Sequence, residues 1–419
     1  MTIGHWPRWA DMPEFHALPN SWKLAYLTDI SDVIAGQSPP SETYNSRGIG
    51  LPFLQGCGEF GEEHPSTTIS CSEPCKKAPP RSSLMSVRAP VGDLNRADQE
   101  YAIGRGLAAL VANNIDPDFL YYGLHRWRFS FQRLGQGSTF EAITARQLKQ
   151  VVVALPQDED EQHRIASILR FADDVINNAR NELNAASALK TSLEAGLLTC
   201  KTGEQGRNKI VTRILPLKEL ANIGSGVTLN QDRAPKENAC RYLTVAHVQR
   251  GEIANDSDVR FLELTPKERE TRLLKDGDLL VVEGHASSME IGRAAMFQDK
   301  SGEPTTYQNH LFRVRADEEQ ILPKFLLYVL NSERIQRHWN AICNTSSGLN
   351  TINRRNLRNL PIQCPNLDKQ RDIIEILDMS KANIVSIAQK VAALEEVKRS
   401  LLQNLLTGKI RIPPTIDIP

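Results

Sequence analysis

Apolar residues recur every three or four positions through two long stretches of the chain, residues 161–201 and 369–409. In the first, alternating steps of four and three visit Ile165, Leu169, Ala172, Ile176, Ala179, Leu183, Ala186, Lys190, Leu193 and Leu197. The same walk through the second visits Ile373, Leu377, Ser380, Ile384, Ile387, Val391, Leu394, Lys398, Leu401 and Leu405. A 3.5-residue period held this long predicts two long helices joined through a coiled-coil seam. The lysines within the stripes bear on orientation. An antiparallel pair sets Lys190 opposite Ser380 and Lys398 opposite Ala172, so each long side chain meets a small one and its ammonium reaches solvent. A parallel pair would set Lys190 against Lys398, so antiparallel pairing is expected. The competing reading is two amphipathic helices, each packed on its own domain. Elsewhere the pattern shortens to β-type runs between glycine and proline breaks: SLMSVRAP (83–90), YAIGRG (101–106), DGDLLVVEG (276–284) and HLFRVRA (310–316). Short helices are predicted at 117–127 and 323–338, each opening with proline near its first turn.

The two long stretches align without a gap at an offset of 208 residues: Gln162 on Gln370, Ile165 on Ile373, Leu169 on Leu377, Lys190 on Lys398, and Leu197-Leu198-Thr199 on Leu405-Leu406-Thr407. The likeness extends backwards. QGSTFEAITARQLKQVVVALP (136–156) resembles TSSGLNTINRRNLRNLPIQCP (345–365), and LTDISDVIAGQSP (27–39) matches LKELANIGSGVTL (217–229), with Gly36 on Gly226. Between these anchors the halves diverge, so the frame reads as duplicated and its contents as different. The layout predicted is an extension (1–18), a variable domain (19–156), a helix (157–202), a second variable domain (203–364), and a second helix with a tail (365–419). The fold class expected is α+β, with two β-rich domains joined by two long helices in an antiparallel coiled coil.

A chain of 419 residues with 40% hydrophobic and 24% charged content suits two to three globular domains. No apolar run reaches the roughly 18–20 residues of a membrane helix, and MTIGHWPRWADMPEFH at the start does not read as a secretory signal. Seven scattered cysteines fit a reducing compartment, so a cytoplasmic protein is expected. With 50 basic and 50 acidic residues the net charge is zero. Any nucleic-acid contact therefore falls to local patches, or to partners that add positive charge.

Catalytic signatures are missing from the sequence: no GxxxxGK[ST] loop, no HExxH helix, no GxSxG elbow, and no Asn-Pro-Pro-aromatic loop of an amino-methyltransferase. Cys57, His64, Cys71 and Cys75 supply four potential zinc ligands within 19 residues. They lack the tight CxxC pairs of preformed sites and have no counterpart in the other half, so no metal is assigned. The acidic run DEDE (158–161) reads as a helix start, where the macrodipole favours negative charge. The remaining candidates are side chains able to read base edges or hold phosphates. In the first half these are Lys76, Lys77, Arg81, Arg105, Arg126, Arg128 and Arg133. In the second they are Arg241, His247, Arg250, Arg293, Gln308, Asn309, His310, Arg354 and Arg355.

Taken with LPNSWKLAYLTDI (18–30), PRSSLMSVRAPVGDLN (80–95), AIGRG (102–106) and DGDLLVVEG, the two helix copies with their LLT endings carry a family resemblance. The chain resembles the specificity subunit of type I restriction–modification systems over nearly its whole length. That resemblance implies two target recognition domains, each reading one half of a split double-stranded DNA sequence, and a coiled coil that fixes their separation. With about 33 residues per seam, the helices form a ruler roughly 50 Å long. It also implies two methyltransferase subunits as partners, joined by translocase–nuclease subunits. Catalysis, S-adenosylmethionine, ATP and magnesium would then belong to those partners, and this chain would be no enzyme, hold no cofactor and touch no membrane. One position departs: Cys200 stands where the second copy has Gly408; if that glycine caps its helix, the first helix is expected to end less sharply or run on toward Gly203. Two other classes remain as alternatives, a lone methyltransferase or nuclease and a coiled-coil scaffold that binds only protein.

Overall fold

Both heptad stripes form helices of 39 residues, Glu159–Leu197 and Leu367–Leu405. The computed structural model describes residues 18–135, 142–149, 151–199, 212–237, 239–254, 260–299, 302–346 and 349–413. These fall into two units, residues 1–181 with 388–419, and residues 182–387. The long helices are therefore not separate segments: each contributes one half to each unit.

The first unit opens with β1 (Trp22–Tyr26), the single-turn helix α1 (Leu27–Ile30) and β2 (Ser31–Ala35). There follow β3 (Tyr44–Asn45), β4 (Leu51–Leu54), β5 (Ser70–Cys71), β6 (Lys77–Ala78) and β7 (Ser83–Ser86). Next come β8 (Leu94–Arg96), β9 (Tyr101–Ile103) and β10 (Leu107–Ala112). They make two sheets, ordered β2-β10-β7-β8 and β3-β5-β4-β9-β6. Helix α2 (Pro117–Gly135), α3 (Ala145–Leu148), β11 (Val152–Pro156) and the start of α4 (Glu159–Leu197) complete the domain. β11 pairs antiparallel with β1, Trp22 opposite Pro156, so a two-stranded ribbon closes the domain just before the long helix begins. Strand β10 sends Ala108 and Leu110 to one core and Leu107 and Ala109 to another. Burial on both faces explains its unbroken apolar run.

The second unit repeats the plan. It runs β12 (Arg213–Pro216), α5 (Leu217–Leu220), β13 (Ala221–Ser225), β14 (Ala239–Leu243), β15 (Gly251–Glu252) and β16 (Phe261–Glu263). Then come α6 (Pro266–Arg272), β17 (Leu279–Val282), β18 (Gly284–His285), β19 (Ala294–Met296), β20 (Thr305–Tyr307) and β21 (Leu311–Ala316). It ends with α7 (Pro323–Asn331), α8 (Glu333–Ile342), β22 (Asn344–Ser346), β23 (Leu349–Thr351), α9 (Arg354–Arg358), β24 (Pro361–Cys364) and α10 (Leu367–Leu405). The sheets are β13-β21-β17-β19-β15, β16-β14-β20 and β18-β23-β22, with the ribbon β12-β24 in the place of β1-β11.

The structure corrects the reading that only the frame is duplicated. The parallel pair β4·β9, Phe53 beside Ala102, has its counterpart in β14·β20, Tyr242 beside Thr306. Val87 N–H donates to Gly106 O at 2.9 Å, as Glu283 N–H does to His310 O at 3.0 Å. Ile143 and Ile352 likewise donate to Val87 O and Glu283 O, each at 2.9 Å. The aligned glycines share one cause. A Cβ on Gly36 would lie 2.1 Å from Gly104 O, and on Gly226 2.1 Å from Gln308 O, so only glycine lets these backbones meet. The expected helix at 117–127 runs on to Gly135. The one at 323–338 breaks in two at Ser332, whose backbone is extended and whose hydroxyl donates to Val329 O at 2.7 Å.

The long helices pair antiparallel. Within the first unit Lys398 of α10 forms an ion pair with Asp173 of α4, and Arg180 donates to Glu395 at 2.6 Å, so positions rise along one helix as they fall along the other. Lys398 thus sits beside Ala172, as the stripe argument required. Within the second unit Leu193 and Leu197 pack on the cluster that holds Ile373 and Leu377, and Lys190 pairs with Glu194 at 2.5 Å. All positions of both stripes are buried or half-buried, including Ile176, Leu183, Ile384, Val391, Leu394, Leu401 and Leu405. The end of α10 carries Gly408 at φ 68°, packed on Pro19 and Trp22. Cys200, its counterpart, lies outside the described residues.

Candidate nucleic-acid interface

What positions the strand ends of each domain is a buried glutamine in the first turn of each long helix. Gln162 accepts from Asp116 N–H at 3.1 Å and donates to Pro156 O at 3.0 Å. Gln370 accepts from Leu322 N–H at 2.8 Å and donates to Pro365 O at 2.9 Å and Gln320 O at 3.0 Å. Each ties the loop ahead of α2 or α7, and the end of the closing ribbon, to its own helix. Tyrosines make a second tie: Tyr122 donates to Asp173 at 2.7 Å and Tyr328 to Asp378 at 2.6 Å. Burial, the largest cause, pushes both phenols far above their usual range, so they remain donors at any physiological pH. Arg96 lies over the Tyr121 and Tyr122 rings, 4.1 and 4.9 Å from their centroids, and pairs with Asp118 at 3.2 Å. Asp118 also meets Arg170 of α4 at 3.0 Å, whereas in the second unit Lys324 meets Asp378 of α10 at 2.6 Å. The same junction is built twice with its charges reversed.

On the first domain a cleft of about 300 Å³ opens between the loops after β4, after β7 and before β10, lined by Gln55, Glu59, Ser86, Arg88 and Arg105. Lys76 stands close by, its carbonyl accepting from Ile103 N–H. On the second domain Lys218, Arg354, Arg355, Arg358 and Asn359 line an open cleft of about 340 Å³, with no carboxylate among the described residues of its wall. Four cations with no counter-charge among the described lining residues suit a phosphate. A larger cleft of about 790 Å³ holds Arg241 and Arg250, but Glu194, Glu252 and Asp378 share its wall.

The sequence candidates thus sort by location. Lys76, Arg81, Arg105, Arg250, His310, Arg354 and Arg355 are exposed, and Arg126, Arg241, Gln308 and Asn309 half-buried. Lys77 is exposed and pairs with Glu100 at 3.4 Å. Arg250 is tied to Gln336 at 2.9 Å, and Arg354 to Ile223 O at 2.5 Å. His310 lies 3.9 Å from Glu283, whose carboxyl is raised chiefly by burial. Arg128 and Arg133 belong to α2, but their side chains lie outside the described residues. Two candidates are corrected. His247 is 4% exposed and bonds through Nδ1 with Thr244 N–H at 3.1 Å. Arg293 is 8% exposed, donating to Glu290 at 2.7 Å and Val245 O at 3.0 Å. Both brace the loop after β14 instead of facing solvent. Sequence reasoning missed Arg88, Lys218 and Arg358. The i, i+1, i+4 spacing of Arg354, Arg355 and Arg358 was a visible signal, whereas Arg88 gave none.

Among the described residues no group of three or more His, Cys, Asp or Glu side chains is placed to hold a metal ion. Cys71 is buried against Thr43, while His64 meets Arg96 O at 3.2 Å. The acidic run proves to be more than a helix start, because Glu161 is buried and receives Arg411 through two bonds of 2.6 and 2.7 Å. Among the described residues no helix is long and apolar enough to cross a membrane.

Two β-rich domains on one plan, each bracketed to a long helix of an antiparallel pair, with basic clefts at their loops, describe a two-headed recognition protein. The model of the type I restriction modification DNA specificity domain matches residues 19–185 and 213–396, and the chain belongs to that family. It is similar to the MjaX type I restriction enzyme specificity subunit of Methanocaldococcus jannaschii, 38% identical over 192 residues, 45% of this chain and 45% of that protein. This match thus spans less than half of that relative. The MjaIX specificity subunit of the same organism is 21% identical over 424 residues, covering 94% of this chain and 95% of that one. The crystal structure of a type I restriction–modification S subunit from M. genitalium shares the fold, with a TM-score of 0.54, 15% identity, and coverage of 94% of this chain and 98% of that one.

Proposed function

We propose that this chain is the DNA-specificity subunit of a type I restriction–modification complex, each domain reading one half of a bipartite duplex target. One observation carries the reading. A single frame of ribbon, one-turn helix, buried glutamine and long helix occurs twice, around domains that share a plan but carry different side chains at equivalent loops. Two identical partners would need the repeated frame, and two unlike half-sites would need the divergent loops. The cleft of Lys218, Arg354, Arg355 and Arg358 holds the phosphate backbone, and α4 with α10 sets the separation of the half-sites.

Exposed apolar side chains on the long helices support partner docking. Phe171 and Met379, 53% and 67% exposed, occupy equivalent positions of the repeat, as do Leu189 and Val397, 58% and 55% exposed. One methyltransferase subunit docks at Phe171 and Val397 of the first unit and a second at Leu189 and Met379 of the second, and translocase–nuclease subunits join that assembly. S-adenosylmethionine, ATP and magnesium belong to those partners, and this chain contributes recognition without catalysis, in the cytoplasm. The test is a methylome of a host that expresses this gene with its neighbouring methyltransferase gene, compared with the same host lacking this gene alone. A split adenine-methylated motif that vanishes with the deletion, and changes in one half only when residues 19–156 are exchanged, is the expected result. An unchanged methylome from an expressed operon overturns the reading.

A further inference from the structure

We infer that the cleft between the loops after β4, after β7 and before β10 reads guanine in the major groove, through Arg88 and Arg105. The inference rests on the specificity reading above and names the bases that one domain recognises. Three observations place it. First, both arginines are exposed and line one cleft with Gln55, Glu59 and Ser86. Neither guanidinium has a hydrogen-bond or ion-pair partner among the described residues. Six arginines of the second domain behave otherwise: Arg233, Arg250, Arg272, Arg293, Arg313 and Arg315 are all bonded within the fold. Planar forks without a bonded partner, lining one cleft, each fit the paired O6 and N7 acceptors of a guanine.

Second, the loops around the cleft are tied to one another: Val87 N–H, beside Arg88, donates to Gly106 O, beside Arg105, at 2.9 Å. A Cβ on Gly106 would stand 2.5 Å from Gln55 O, so the loop before β10 packs directly on the loop after β4. Glu59 accepts from Gly56 N–H at 3.0 Å and closes the latter loop on itself. That carboxylate also discriminates between two kinds of contact. A wall containing Glu59 repels a phosphate, but it offers an acceptor to the N4 amino group of the cytosine paired with guanine. The wall around Arg354, with no carboxylate among its described residues, has the opposite character.

Third, the equivalent loops of the second domain lack both arginines. The shared bonds of Val87 to Gly106 and Glu283 to His310 align Arg88 with Gly284 and Arg105 with Asn309. The position is common to the two domains and its chemistry is not, as reading two unlike half-sites requires.

The methylome above first gives the motif and, through the exchange of residues 19–156, the half that this domain reads. The complex of this chain with its methyltransferase subunits is then tested by competition binding against duplexes carrying 7-deazaguanine, which lacks N7, at each guanine of that half. Wild type should lose about 10-fold in affinity at the guanines contacted. Arg88→Ala and Arg105→Ala should each abolish the penalty at one guanine while leaving discrimination in the other half-site intact. Arg88→Lys and Arg105→Lys keep the charge without the fork; they should shrink the same penalty, and they cover an alanine variant that fails to assemble. A half-site without guanine overturns the inference, as do variants that retain every penalty. Uniform weakening with all penalties intact also overturns it, since that is the mark of phosphate contacts. Absence of any gene-dependent split motif instead overturns the specificity reading itself.

Discussion

Gln370 shows how little a residue's identity says about its load. It is fully buried and its amide serves one backbone N–H and two carbonyls. Gln370→Glu keeps the shape but removes the donors and buries a charge, leaving the carbonyls of Gln320 and Pro365 unsatisfied at neutral pH. We expect a loss of about 3 kcal/mol, read as a lowered urea midpoint. Glu268 gives a pH-dependent counterpart. It takes two bonds from Arg233, at 2.8 and 3.0 Å, and closes the capping box of α6 with Thr265. The Arg233 bonds, the largest cause, draw its carboxyl down to about 2 from 4.5. A carboxyl depressed by folding contributes stability above its unfolded pKa and loses it as pH falls through its folded one. Glu268→Gln should therefore be about 1–2 kcal/mol less stable at pH 7. That gap should be flat above pH 5 and close between pH 4.5 and 2 in urea titrations. At this scale the sequence was least legible. The match of Gln162 with Gln370 was visible but not their burial, and His247 and Arg293 looked like surface groups because polarity alone does not tell an internal brace from a solvent-facing contact.

Among the elements, the long helices were the most legible, because a 3.5-residue stripe sustained through ten positions allows few alternatives. Even their antiparallel sense followed from where Lys190 and Lys398 interrupt it. The stripe also separates two kinds of apolar residue on one helix. Leu377 is fully buried, and Leu377→Ala should cost about 3 kcal/mol. Phe171→Ser and Met379→Ser, at exposed sites, should leave the thermal midpoint of the free chain nearly unchanged. On the docking proposal they should weaken co-purification with the methyltransferase subunit. Loss of stability in the serine variants with full co-purification would place these side chains in the fold instead. The break between α7 and α8 was not legible, because the apolar spacing continues across it and Ser332 ends the first helix by bonding back to Val329 O.

For the whole molecule, the reversed junctions carry a prediction. Asp118 meets Arg170 in one frame and Lys324 meets Asp378 in the other. Interchanging the two recognition domains between the frames would set Lys324 against Arg170 and Asp118 against Asp378. Partly exposed pairs are worth at most about 1 kcal/mol each, so the interchanged chain should fold with a modestly lowered thermal midpoint. Adding Arg170→Asp and Asp378→Arg should recover part of it, more at low salt, because Tyr122 would still lack its Asp173 acceptor. A midpoint that ignores these compensating changes would show that the junctions do not discriminate between the domains.

The sequence by itself determined the duplicated frame, the two helices and their sense, because these rest on periodicity and on residue-by-residue matching, both local properties of the chain. Only the tertiary structure decided that the two divergent domains share one plan, that each long helix belongs to both units, and that Arg88 joins Arg105 in one cleft while His247 and Arg293 turn inward. Those outcomes depend on strand pairings and burial between residues far apart in the chain. Backbone hydrogen bonds such as Val87 to Gly106 form whatever the side chains are, so a common architecture can persist with little trace in the residues.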